Sequence, residues 1–107
     1  MKHPVTVLAP FKLAEDKTEA DLIAASNRFQ EVFVSKHAGV LRRELIKTGD
    51  REYIDIVQFR SREDAEKIIE AEAQSEDCHA FFSIMDMSDM DEEVQFHLSL
   101  ATYNQNF

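Results

Sequence analysis

VLRRELIKTGDREYIDIVQFR, residues 40–60, reads as two strands and the turn that joins them. Residues 40–47 and 52–60 are rich in β-branched and aromatic side chains, and Thr48-Gly49-Asp50-Arg51 has hairpin length. Strands so close in sequence pair antiparallel. Outward on the N-terminal side, Thr18-Glu19-Ala20-Asp21 has capping-box spacing. Leu22, Ala25, Phe29, Val32 and Phe33 follow as one helical stripe, predicted to stop at a left-handed Gly39. On the C-terminal side Ser61-Arg62-Glu63-Asp64 repeats the cap spacing, and Ala65, Ile68, Ile69 and Ala73 form a second stripe. Ser75-Glu76-Asp77 reads as a fresh start, with Cys78, Phe81, Phe82 and Met85 on one side, so a break near Ser75 and a helical segment to about residue 85 are predicted. Residues 5–11 form a first strand, which Pro10 places at an edge or a bulge. Residues 94–103 form a last strand, in which Val94, Phe96, Leu98 and Leu100 alternate with Gln95, His97, Ser99 and Ala101. The order is β-α-β-β-α-β. It predicts an α+β, ferredoxin-like fold, with a four-stranded antiparallel sheet and two helices on one face.

Composition narrows the classes. A chain of 107 residues holds one domain, residues 1–107. Two glycines and two prolines argue against a turn-rich β-sandwich and a glycine-rich phosphate loop. A net charge of −9 argues against a nucleic-acid or anionic-membrane partner. One cysteine excludes an intrachain disulfide and a cysteine-built zinc site. No stretch reads as a targeting or membrane segment, so a cytoplasmic protein with a reduced thiol is expected.

Two helices cover one sheet face, and the last strand sets which. Its Val94, Phe96, Leu98 and Leu100 should meet the helices, leaving His97 and Tyr103 on the open face. On the third strand both faces are apolar. Ile54 and Ile56 are assigned to the helix side, which puts Tyr53, Asp55, Val57 and Phe59 on the open face. A mixed apolar face of that kind marks a partner or a ligand. It predicts a homodimer through the open faces, since a symmetric pairing buries the same patch twice.

Val57-Gln58-Phe59-Arg60-Ser61-Arg62-Glu63-Asp64-Ala65 resembles the strand-to-helix junction of the antibiotic-biosynthesis-monooxygenase-like family, with an aromatic at the strand end, then a Ser and an acidic helix start. Val5-Thr6-Val7-Leu8-Ala9-Pro10-Phe11-Lys12-Leu13 resembles that family's first strand, and residues 75–82 its helical segment running from a Ser to a Phe. The resemblance spans residues 5–85. It implies a dimeric α+β barrel, and it implies either a cofactor-independent monooxygenase acting on planar aromatic or phenolic molecules or a non-catalytic dimer that binds a small ligand or assembles. Two features depart from the family. Ala71-Glu72-Ala73-Gln74 occupies the stretch where a His often stands, and the chain has no Trp, which haem-degrading members use.

Candidate chemistry falls on few residues. His97, mid-strand on the presumed cavity face, suits an acid or base for a phenol, or else is a hydrogen-bonded sheet histidine at a dimer seam. Asp55, inside an apolar strand, needs a partner. Either His97 on a neighbouring strand or a salt bridge to Arg42 or Arg43 supplies one. Tyr53, Phe59 and Tyr103 complete a predicted ligand pocket for a small aromatic molecule. No cofactor and no metal are expected: His3, His37, His79 and His97 lack ligand spacing, and the acidic run from Asp86 to Glu93 reads as a solvated loop. Cys78 reads as a small core residue, and Met85, Met87 and Met90 as pocket lining or filler under that loop.

Overall fold

The computed structural model describes residues 3–86 and 95–103. Strand β1 (Val5–Leu13) leads to helix α1 (Glu19–Val32) and a short 3₁₀ turn at Val34–Lys36. Strands β2 (Val40–Gly49) and β3 (Glu52–Phe59) form the hairpin. Helices α2 (Arg62–Ala73) and α3 (Glu76–Phe82) follow, then strands β4 (Met85–Asp86) and β5 (Gln95–Leu98). All pairings are antiparallel, in the order β2-β3-β1, and β1 carries β4 and β5 on its other side. This is the predicted α+β, ferredoxin-like arrangement with the second helix broken, but the helical segment expected to reach residue 85 stops at Phe82, and Met85–Asp86 adds a short fifth strand where a helix end and a loop were expected. No helix of the described residues is long and apolar enough to cross a membrane.

Local chemistry explains the boundaries. Thr18 caps α1 through a full capping box: its hydroxyl accepts from the Asp21 amide at 3.2 Å, and the Asp21 carboxylate accepts from the Thr18 amide at 2.9 Å. Ser61 caps α2 and Ser75 caps α3, the latter at the predicted break. Arg51 turns the hairpin with φ 61°, and its guanidinium donates to the carbonyls of Ala14 and Lys17, tying the tip to the loop before α1.

Three expectations are corrected. Helix α1 ends at Val32, well before Gly39, and Gly39 has no positive φ. Its lack of a side chain serves packing instead: a Cβ there would lie 3.0 Å from the Asp64 Cβ and 3.2 Å from the Ile68 Cδ1. Strand β1 is not an edge. It lies between β3 and the β4/β5 side, and Pro10 sits between Val5–Leu8, which pair with β5, and Lys12–Leu13, which pair with β4. The missing amide falls beside a gap in that neighbour. The last strand is short among the described residues: Ser99 to Tyr103 lie outside it, and Val94 is outside the described residues.

The core lies between the sheet and the helices. Val5, Val7 and Leu13 of β1 and Tyr53 and Phe59 of β3 pack against Leu22 and Phe29 of α1, Ala65 and Ile68 of α2, and Cys78 and Phe81 of α3. Alternation then gives the opposite face of β3 to Ile54, Ile56 and Gln58, the reverse of the predicted assignment. The reason is polar satisfaction. Tyr53 can turn inward because its hydroxyl donates to Glu19 at 2.9 Å, and Asp55 because a buried arginine meets it.

Candidate active site between sheet and helices

Leu22, Ser26 and Phe29 recur at helical spacing on the inner side of α1 and are all buried. The Arg43 side chain reaches them from β2, only 7% exposed, beside an Asp55 side chain at 10%. Its Nε donates to both Asp55 carboxylate oxygens, at 3.0 and 3.1 Å. Its Nη1 donates to the Ser26 carbonyl at 3.3 Å and its Nη2 to the Ser26 hydroxyl at 2.9 Å. The guanidinium carbon lies 4.9 Å from the Phe29 ring centre and 5.3 Å from that of Phe81, so ring faces add cation–π attraction. Burying two charges costs several kcal/mol per ion, and this cage of partners is what offsets it. Burial pushes the Asp55 carboxyl above its ordinary range, against the opposing pull of Arg43.

The ion pair forms part of the wall of a cavity of about 410 Å³. Phe11, Phe29, Phe33, Phe59, Phe82 and Phe96 supply aromatic lining. Glu72 enters from α2, one turn beyond Ile68 and so on the same helical face. It is half-buried, and while its backbone carbonyl accepts from the Ser75 amide, its carboxyl makes no hydrogen bond or ion pair among the described residues. Loss of hydration first, and the Asp55 charge second, push its carboxyl up to about 7, with Arg43 pulling the other way. Lys12 and Asp86, opposite one another in the β1–β4 register, also line the space. A volume of this size suits a small molecule, and rings with a few polar groups are the usual lining of such a site.

No family model matches the sequence. No curated protein matches it either. Solved structures do. SnoaB, a cofactor-independent oxygenase from Streptomyces nogalater, superposes with a TM-score of 0.67 over 95% of this chain and 96% of its own, at 14% identity. A protein from Nitrosomonas europaea, provisionally named an antibiotic biosynthesis monooxygenase, gives 0.63 over 99% of this chain and 97% of its own, at 15% identity. One from Chloroflexus aurantiacus with the same provisional name gives 0.65 over 94% and 97%, at 10% identity. The chain has the fold of the antibiotic biosynthesis monooxygenases.

Within that monooxygenase fold the five sequence-predicted site residues do not form one pocket. Asp55 and Phe59 line the cavity, and Tyr53 is buried on the same side of the sheet. His97 pairs with Thr6 across β1 and β5, on the other face, and is exposed, its Nε2 3.3 Å from the Gln95 side-chain oxygen. Tyr103 is 86% exposed. A pairing of Asp55 with His97 is thus corrected on two counts: the residues face opposite ways, and β1 separates their strands. The alternative partner, Arg43, is the one in place, while Arg42 pairs with Glu44. Cys78 is buried in the core, and burial raises its thiol, which keeps it unreactive. Met85 lines the cavity, whereas Met87 and Met90 lie outside the described residues. Sequence reasoning passed over Glu72. The signal available was its i+4 spacing from Ile68, which puts a carboxyl on the apolar side of α2.

Proposed function

We propose that this chain is a small cofactor-independent monooxygenase whose cavity, between the sheet and the helices, takes a planar phenolic molecule. The observation that carries the reading is the combination in one cavity of aromatic walls with the Arg43–Asp55 pair and the Glu72 carboxyl. The likeness to SnoaB, itself a cofactor-independent oxygenase, supports it at the level of fold.

The chemistry needs little from the protein. A reduced phenolic ring system gives up a proton and becomes a delocalised, electron-rich anion. That anion supplies the electrons to molecular oxygen, so a ring CH₂ and O₂ become a ring C=O and water. Rings above and below the substrate exclude bulk water and hold it flat. Arg43 places positive charge beside the anion. Asp55, a candidate catalytic residue, has both oxygens on the Arg43 Nε and is better suited to fixing that guanidinium than to taking a proton. We place the protein in the cytoplasm, as one domain that works as a homodimer.

Oxygen uptake with a hydroxylated anthrone tests the reading. The expected result is enzyme-dependent consumption of one O₂ per ring oxidised. Binding of the anthrone with no uptake above the protein-free rate would leave a ligand-binding module in its place.

A further inference from the structure

Among the described residues three carboxyls line the cavity, and they differ in what already occupies them. Both Asp55 oxygens are engaged by Arg43. Asp86 stands across from Lys12 in the strand register. The Glu72 carboxyl lines the cavity with no hydrogen-bonding partner among the described residues. A half-buried carboxylate without a partner is costly to keep, unless a ligand or a proton arrives to satisfy it.

We propose that Glu72 is the catalytic base of the cavity: its carboxylate takes the acidic proton of a phenol or of its keto tautomer, and Arg43 holds the anion that results. This rests on the oxygenase reading above. The proton balance is simple. The C–H or O–H bond of the ligand breaks, its electron pair stays on the ring system, and the proton forms an O–H bond on Glu72. Loss from carbon or from oxygen gives the same delocalised anion. Arg43 has five N–H groups, and three have acceptors here, the Nε one shared by both Asp55 oxygens, so one on each Nη remains for a ligand oxygen.

The surroundings suit the role. The charges acting on Glu72 are those of Asp55 from β3 and Arg43 from β2, Cys78 of α3 feels the Glu72 charge, and Lys12 of β1 and Asp86 of β4 line the same cavity. Positive charge from Arg43 and negative charge from Asp55 oppose one another at Glu72, which leaves loss of hydration as the main influence. A carboxyl titrating near 7 is poised to take a proton at neutral pH, where an ordinary glutamate is too weak a base.

The test compares the native chain with Glu72→Gln and Glu72→Asp, using oxygen uptake with a dihydroxyanthrone and binding of the matching dihydroxyanthraquinone by its visible absorbance. Native kcat/KM should rise through the neutral range and level off as one group loses its proton. Glu72→Gln should lower the plateau about 100-fold and abolish that limb. It should still bind the quinone, while Glu72→Asp retains part of the rate. An unchanged rate and limb in Glu72→Gln would overturn Glu72 and leave the oxygenase reading standing. Quinone binding that depends on pH in the native chain and not in Glu72→Gln, with no oxygen uptake, would keep Glu72 and remove the oxygenase. Native and Glu72→Gln chains that bind alike at every pH, with no uptake, would remove both.

Discussion

Glu72 ties stability to pH in a way that needs no substrate. Folded, its carboxyl holds a proton up to about pH 7, whereas its ordinary value is 4.5. The native state therefore binds more protons across that window, and stability falls as pH rises through it. The full difference is worth roughly 3 kcal/mol. The Asp55 carboxyl, also raised by burial, acts in the same direction. Urea unfolding at a series of pH values should show a native chain losing stability from about pH 4.5 to 7. In Glu72→Gln most of that slope should vanish. A native profile that is flat there, or that rises, would show Glu72 to be an ordinary exposed acid. The same residue marks a limit of sequence reading. Ala71-Glu72-Ala73-Gln74 stood out only for lacking a histidine, because nothing in a helix sequence says that one glutamate of several will meet an apolar cavity.

At the scale of elements, the start of α2 packs closely against the backbone just before β2. The Asp64 and Ile68 side chains occupy the space a Gly39 Cβ would need, at 3.0–3.2 Å. Gly39→Ala should cost about 1–3 kcal/mol through overpacking, with no backbone strain involved. A thermal melt should show a loss of several degrees; an unchanged melt would mean that α2 shifts freely. The order of the longer elements, the caps and the break at Ser75 were legible in the sequence, because each is written in local chemistry; the two-residue strand β4 was not. The faces of β3 were not. Tyr53-Ile54-Asp55-Ile56-Val57 is apolar on both sides, and the deciding partners lie far off in the chain: Glu19 for Tyr53, Arg43 and Ser26 for the Asp55 ion pair. Hydrophobicity favours Ile54 and Ile56 inside; a buried salt bridge reverses it. That single choice moved Asp55 and Phe59 from an imagined open-face pocket into the cavity, and left His97 and Tyr103 behind.

At the scale of the whole molecule, the open sheet face is the unfinished part. Thr6, Leu8, Ile46, Ile54, Ile56 and Gln58 share it by register. Gln58 also donates to Ser99 and Thr102 at 3.1 Å, which draws the segment after β5 towards β3. Leu100 on that segment is 89% exposed. We propose that a second copy covers this face, with Ile54 and Ile56 in place of the Tyr53, Val57 and Phe59 first expected there. Sedimentation equilibrium should give twice 12.4 kDa, and Ile56→Asp should shift it towards 12.4 kDa. A native chain at 12.4 kDa at micromolar concentration would contradict the dimer.

The central claim is a location: the space between sheet and helices, not the open face, is where this protein handles a small aromatic molecule. A crystal structure of the chain with a bound dihydroxyanthraquinone tests it most directly. The account predicts the ring system among Phe29, Phe33 and Phe82, with a ligand oxygen within hydrogen-bonding reach of Glu72 or Arg43. A ligand seated on the other side of the sheet, against His97 and Tyr103, would contradict it.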